Sequence, residues 1–348
     1  MDKEFPMKKT TAMVIAASTL LMLTGCGGGV SPSQSATEEV VEVSTNGKPL
    51  TLGLTYVPNV QFSPVYVAAE DSIFTSAGLG VSVRHHGADE GLFSALISGD
   101  EDVVIASGDE VLQARAQGVD IVSIGAFYQE YPVEIIVPEG SPITSFADLK
   151  GKRVGLPGEF GSNWFGLLAA LDEAGLARDD ITVVPVGFTQ AASLVSGEVD
   201  AIVGFSNSDA VQLQEMDFAA RSLPLPDDVP LVGASIITTQ AWLADNERNA
   251  KHLVDSLTAA MDKIAANPTY ALEVSAKWDD TLSDPGARAG AKATLAATIP
   301  LWVGEHGADA TQDLERWEKM GPFLAEVLGD PAVAEHAEGA ATNQYVSQ

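Results

Sequence analysis

The chain has 348 residues, with 19 Lys+Arg against 48 Asp+Glu and a formal net charge of −29. That balance excludes electrostatic binding to nucleic acid or to an anionic membrane surface. Hydrophobic residues form 46% of the chain and charged residues 19%, which excludes a disordered acidic chain, and one Cys excludes a disulfide framework, a Cys-based zinc site and an iron–sulfur cluster.

In chain order, the first feature is Met7-Lys8-Lys9, followed by an apolar run over residues 12–23 and then Leu23-Thr24-Gly25-Cys26. A basic segment, a short apolar run and small residues before a cleavage point make a secretory signal. The run falls short of the ~20 apolar residues that span a bilayer. Leu-Thr-Gly-Cys is similar to a bacterial lipobox, so residues 1–25 are expected to be a lipoprotein signal peptide and Cys26 the lipidation site. The expected location is the extracytoplasmic face of the cell membrane, held by an N-terminal lipid anchor. Residues 26–49 are rich in Gly, Ser, Thr and Glu without a sustained period, and are expected to form a flexible tether.

From Leu50 onward the chain contains an internal repeat. Ala95-Leu-Ile-Ser-Gly-Asp-Glu-Asp-Val-Val-Ile-Ala-Ser107 resembles Ser193-Leu-Val-Ser-Gly-Glu-Val-Asp-Ala-Ile-Val-Gly-Phe205. In each copy a helix ends at Ser-Gly, an acidic turn follows, and an apolar strand (103–106, 201–205) runs into a polar loop. Upstream strands are expected over 50–56, 79–87, 153–156 and 181–187. Two copies of strand–helix–strand–helix–strand predict an α/β protein whose two lobes each hold a mostly parallel sheet with flanking helices. The chain is expected to cross between lobes near 131–136 and 230–236. Lobe I then holds residues 50–133 and 234–348, and lobe II holds 134–233. The C-terminal part reads as helices over 249–265, 270–278, 288–297 and 311–328, packed back on lobe I.

In parallel sheets, ligands collect at the carboxyl ends of the strands. Two facing lobes would therefore line one cleft. The expected ligand-binding residues are Asn59, Gln61, Phe62, Asp89, Ser107, Asp109, Glu110, Tyr128 and Gln129 from the lobe I side. Lobe II is expected to supply Glu159, Phe160, Ser162, Asn163, Trp164, Phe188, Phe205 and Asn207. Phe62, Tyr128 and Trp164 are expected to stack, and Asn59, Gln61, Glu110, Glu159 and Asn163 to hydrogen-bond. No Lys or Arg falls in these loops. An anion such as nitrate or a sulfonate is usually held by Arg or Lys, or by helix N-termini, so a flat neutral heterocycle suits them better.

Tyr56-Val-Pro-Asn-Val-Gln-Phe62, Tyr66-Val-Ala-Ala-Glu70, Phe146-Ala-Asp-Leu-Lys-Gly-Lys-Arg-Val-Gly155 and Val199-Asp-Ala201 resemble the NMT1/THI5-like (SsuA/THI5-like) family. The resemblance implies a periplasmic-binding-protein fold of type II and a substrate-binding role in an ABC importer. The ligands known for the family are nitrate, sulfonates, taurine, thiamine pyrimidine precursors and riboflavin. Pro58-Asn59 resembles the pyrimidine-precursor and riboflavin branches. The implied partners are an ABC permease and its ATPase, with a small-molecule ligand and a monomeric binding protein.

Part of the family synthesises a thiamine pyrimidine, using a Cys/His-rich iron site, an active-site His and a pyridoxal-type Lys. Here the only Cys lies in the lipobox and no Lys stands in a cleft loop, so no enzyme activity, cofactor, metal or catalytic residue is expected. His85 and His86 are adjacent near a strand end, and their side chains point to opposite faces. Ser107-Gly108-Asp109 lacks a nucleophile elbow, and Gly155-Leu-Pro-Gly-Glu-Phe-Gly161 lacks the Gly-Lys-Ser of a phosphate loop.

Overall fold

Short apolar strands alternate with helices along two stretches of the chain and build two sheets of the same design. The computed structural model describes residues 49–55, 57–86 and 90–347, so Cys26, Tyr56 and Asp89 lie outside the described residues. The first stretch runs β1 (Leu50–Leu54), α1 (Ser63–Glu70), α2 (Ile73–Ser76), β2 (Val81–His85), α3 (Ser94–Ser98), β3 (Val103–Ser107), α4 (Gly108–Ala116) and β4 (Ile121–Ala126). The second runs β5 (Val133–Pro138), β6 (Arg153–Leu156), α5 (Gly161–Glu173), β7 (Thr182–Pro185), α6 (Gln190–Val195), β8 (Ala201–Phe205), α7 (Asp209–Glu215) and β9 (Ala220–Pro224). Then come β10 (Ala234–Thr239) and the helices α8 (Gln240–Ala266), α9 (Pro268–Ser275), α10 (Pro285–Trp302), α11 (Leu314–Leu328) and α12 (Pro331–Glu335).

The strand orders are β2-β1-β3-β10-β4 and β7-β6-β8-β5-β9. In each sheet the first three strands are parallel. The fourth is antiparallel to both of its neighbours. These fourth strands, β5 and β10, follow the two passages between sheets, at residues 127–132 and 225–233. A chain arriving at the carboxyl end of a parallel sheet can pair with it only by running back. The expectation of mostly parallel sheets did not anticipate that inserted strand, nor β4 and β9 at the edges.

Strands expected over 153–156 and 201–205 have those bounds, whereas β2 and β7 are shorter at both ends than the strands expected over 79–87 and 181–187, and β1, expected over 50–56, ends at Leu54. In β3, Val103, Val104, Ile105 and Ala106 are all buried, which needs cover on both faces and explains the unbroken apolar run. Local signals set the helix starts: the Asp284 carboxylate accepts from the Gly286 and Ala287 N–H groups at α10, and Asp313 accepts from the Arg316 N–H at α11.

Each sheet has its own apolar core. A further cluster joins Val104, Ala106, Val111 and Leu112 to Phe165, Leu168 and Ala169 of α5, and to Trp317, Met320 and Leu324 of α11. The C-terminal helices pack on the first sheet's helices, α8 and α9 against α1 and α12 against α4. They also reach the other lobe, α10 touching α7 and α11 touching α5. They therefore brace both walls of the cleft rather than one.

Candidate functional site

The third strand of each sheet meets the opposite lobe at its carboxyl end, where β3 runs directly into α4 and β8 into a short turn before α7. Gly108 follows β3, and a Cβ there would stand 2.7 Å from Val232 Cγ1 on the second passage. A side chain would push the loop off the hinge. Ser107 Oγ lies 2.5 Å from Ser162 Oγ in the first turn of α5, and Ser162 Oγ donates to Asp109 Oδ2 at 3.1 Å. The Tyr131 hydroxyl, on the first passage, stands 2.8 Å from both Asp109 Oδ2 and the Ser162 carbonyl. One network thus ties lobe I, lobe II and the hinge.

The loop after β8 does the same in the other direction. Asn207 is fully buried, and its Nδ2 donates to Thr298 Oγ1 of α10 at 3.0 Å and approaches the Tyr128 hydroxyl at 3.5 Å. Asp109 and Asn207 hold the same place in the two copies of the repeat, two residues past the last strand residue. Each has one oxygen, Oδ1, buried without a hydrogen-bond partner among the described residues.

The electrostatics of this seam follow from burial. Asp109 is fully enclosed, so its carboxyl is pushed above the usual carboxylate range despite the hydroxyls that donate to it. Glu110 beside it is raised by burial and then by the Asp109 charge. The Tyr131 hydroxyl is held well above the ordinary phenol value by burial and by the Asp109 carboxylate. Glu110 points at the start of α5, where a Cβ on Gly161 would stand 3.5 Å from its Oε1. Gly161 has φ +68°, a conformation that favours glycine.

An aromatic wall stands on the lobe I side. The Tyr66 ring stacks on Trp278 at 4.9 Å and 10°, and its hydroxyl lies 2.8 Å from His85 Nε2. Phe62 meets His85 edge-on at 6.3 Å. Burial and the neighbouring His86 hold the His85 imidazole below its ordinary pKa, which favours the neutral ring. His86 turns to the other face and meets Glu101 at 2.9 Å, as adjacent strand residues must.

Other expected residues are distributed unevenly. Asn59 uses its side chain locally, accepting from the Gln61 N–H at 2.9 Å, while its own N–H faces the Tyr66 hydroxyl at 3.3 Å. Gln61 is half-buried beside it. Tyr128 is buried against Phe127 and Trp302. Gln129 is exposed, and its amide donates to the Asp309 and Thr311 carbonyls, bracing the passage against the chain before α11. Asn163 is buried, with Nδ2 donating to the Val203 carbonyl at 2.9 Å. Phe205 packs on the second sheet's core. Phe160 and Phe188 are 60% and 62% exposed, at the carboxyl ends of the neighbouring strands β6 and β7.

Two expectations change. The loops contain no cation in sequence, yet Arg178 folds onto them. It pairs with Glu159 Oε1 at 2.6 Å and lies 5.9 Å from the Trp164 ring centroid. Trp164, expected to stack on a ligand, packs against the lobe II core beneath that guanidinium. Glu159, expected to hydrogen-bond a ligand, is held in the same ion pair.

Tyr131, Tyr66, His85, Trp278 and Thr298 were missed as site residues. The spacing of Tyr128 and Tyr131 on a passage between lobes was the one available signal. Trp278, in the turn after α9, and Thr298 of α10 arrive from far along the chain, which no local pattern reports.

Comparison with known proteins adds a frame. The family described as NMT1/THI5 like matches residues 59–271. The riboflavin-binding protein RibY of Chloroflexus aurantiacus is 28% identical over 98% of this chain and 99% of that protein. The formylaminopyrimidine-binding protein of Halalkalibacterium halodurans is 24% identical over 96% of this chain and all of that protein, 100%. Among solved structures, the aliphatic sulphonate binding protein SsuA of Escherichia coli covers 86% of this chain and 92% of its own, with a TM-score of 0.66 and 20% identity. That last likeness concerns the fold. A 4-amino-5-hydroxymethyl-2-methylpyrimidine phosphate synthase of Uromyces fabae is 28% identical over a shorter stretch, 59% of this chain and 63% of that protein.

Proposed function

The chain belongs to the NMT1/THI5-like family, and from that premise we propose that it is a solute-binding protein whose lobes close on a small aromatic heterocycle. The proposed ligand is a thiamine pyrimidine precursor or riboflavin. The observation that carries this reading is the buried Asp109 carboxylate at the seam between the lobes, with Glu110 beside it and no cation paired to either among the described residues. An anion entering there would meet like charge in a medium where Coulomb energies are large. A neutral ring with N–H groups would meet acceptors. On the lobe I side, Phe62, Tyr66, His85 and Trp278 form an aromatic cluster against the core.

The relatives that match nearly the full chain are named for binding riboflavin and formylaminopyrimidine, which supports binding over turnover. The synthases match a shorter stretch. Closure would turn on residues 127–132 and 225–233, the two passages between sheets. The partners proposed are an ABC permease with its ATPase, reached from a lipid anchor at Cys26 on the extracytoplasmic face of the membrane.

A thermal-shift panel tests the ligand class: aminopyrimidines or riboflavin raise the melting temperature, while nitrate, taurine and ethanesulfonate leave it unchanged. Stabilisation by ethanesulfonate alone would overturn the reading. The anchor has its own test. Cys26→Ala, expressed in a bacterial host, moves the protein from the membrane fraction to the soluble extracytoplasmic fraction, and continued membrane retention would count against lipidation.

A further inference from the structure

The internal repeat places one polar residue of each lobe at the seam, and both are left half-satisfied. Asp109 Oδ2 accepts from Ser162 and from Tyr131, and Asn207 Nδ2 donates to Thr298, but Oδ1 of each is buried with no partner among the described residues. An open cleft would let water donate to both oxygens. Closing it strips that water, and a buried acceptor left bare is unfavourable. Both orphaned groups are acceptors, and they belong to opposite lobes, at the two ends of the passage that carries Tyr128 and Tyr131.

We infer that Asp109 and Asn207 form a paired reading device, in which each lobe accepts one hydrogen bond from the same ligand and closure is favoured only by a ligand with two donors. This rests on the heterocycle-binding reading and sharpens it. The ligand class is a flat, uncharged heterocycle with an N–H group at one end and a second N–H or O–H group at the other. A molecule with acceptors alone would leave both oxygens bare.

The test uses matched ligands that differ in one donor, titrated calorimetrically into the wild-type protein. The pairs are riboflavin with N3-methylriboflavin, and 4-amino-5-hydroxymethyl-2-methylpyrimidine with its N4,N4-dimethyl analogue. Wild type is expected to bind the donor-bearing member of at least one pair roughly tenfold tighter or more than its blocked partner. Asp109→Leu or Asn207→Leu, each of which removes the acceptor, is expected to shrink that ratio to about threefold or less, with melting curves recorded to show that each variant folds. Equal binding of blocked and unblocked ligands by wild type overturns the device but keeps the heterocycle reading. So does a ratio unchanged in both folded variants. If no heterocycle of either pair binds, whether or not ethanesulfonate does, the functional reading fails and the device with it.

Discussion

The first turn of α4 after β3 and the turn after β8 occupy the same place in the repeat and reach across the same seam, yet they carry different chemistry. The first presents two acidic residues, Asp109, which accepts from the hydroxyls of Ser162 and Tyr131, and Glu110 beside it. The second presents a neutral amide, Asn207, backed by Thr298 and by Tyr128 against Trp302. At the matched position the placement is kept while the chemistry differs, a carboxyl on one side and an amide on the other.

The largest effect should come from removing the neutral loop's support. Trp302 is nearly fully buried, so Trp302→Ala should cost about 3–5 kcal/mol of stability in urea denaturation. A loss under about 1 kcal/mol would mean that the second loop is not held by this ring. On the acidic side, Tyr131→Phe removes the hydroxyl beside a buried carboxylate, and a loss of about 1–3 kcal/mol is expected.

The pH response reports on buried carboxyls of both sides, with two of them on the first. Burial raises the folded-state pKa of both Asp109 and Glu110, so the folded protein holds those protons more tightly than the unfolded chain. Their stabilising contribution is full below the ordinary carboxylate values and is lost as pH rises through the raised ones. The melting temperature should therefore fall between about pH 5 and about pH 8. The fall should be smaller in Asp109→Asn/Glu110→Gln, and an identical slope would place the titration elsewhere. Asp209, raised by burial to about 6 and accepting from the Phe205 N–H at 2.8 Å, adds the same sign from the second loop. Asp209→Asn provides the control that apportions it.

The smallest effect belongs to Arg178. Its ion pair with Glu159 is solvent-exposed on both sides, and such pairs are typically worth under about 1 kcal/mol. Arg178→Ala should leave stability within that margin and heterocycle affinity within about threefold. A larger loss of affinity would return Trp164 and Glu159 to the ligand.

Much of this architecture was readable in advance, because parallel strands buried on both faces leave unbroken apolar runs and Ser-Gly ends mark the helices before them. The sequence also named Ser107, Asp109, Ser162 and Asn207 from their places at or after strand ends, and the structure brings the first three into one network. The inserted strands β5 and β10 were not legible, since direction in a sheet depends on where the chain enters it. Trp278, Thr298 and Arg178 were hidden by distance along the chain. The absence of cations from the loops was a true reading of the sequence, but a side chain from outside a loop can still fold over it, as Arg178 does.

The central claim is that this cleft takes a donor-bearing heterocycle and rejects anions. Calorimetric titration of the purified wild-type protein with riboflavin, 4-amino-5-hydroxymethyl-2-methylpyrimidine and ethanesulfonate, side by side in one buffer, tests it most directly. The account predicts saturable one-to-one binding of at least one heterocycle and no heat from the sulfonate. Saturable binding of ethanesulfonate with none from either heterocycle would contradict it.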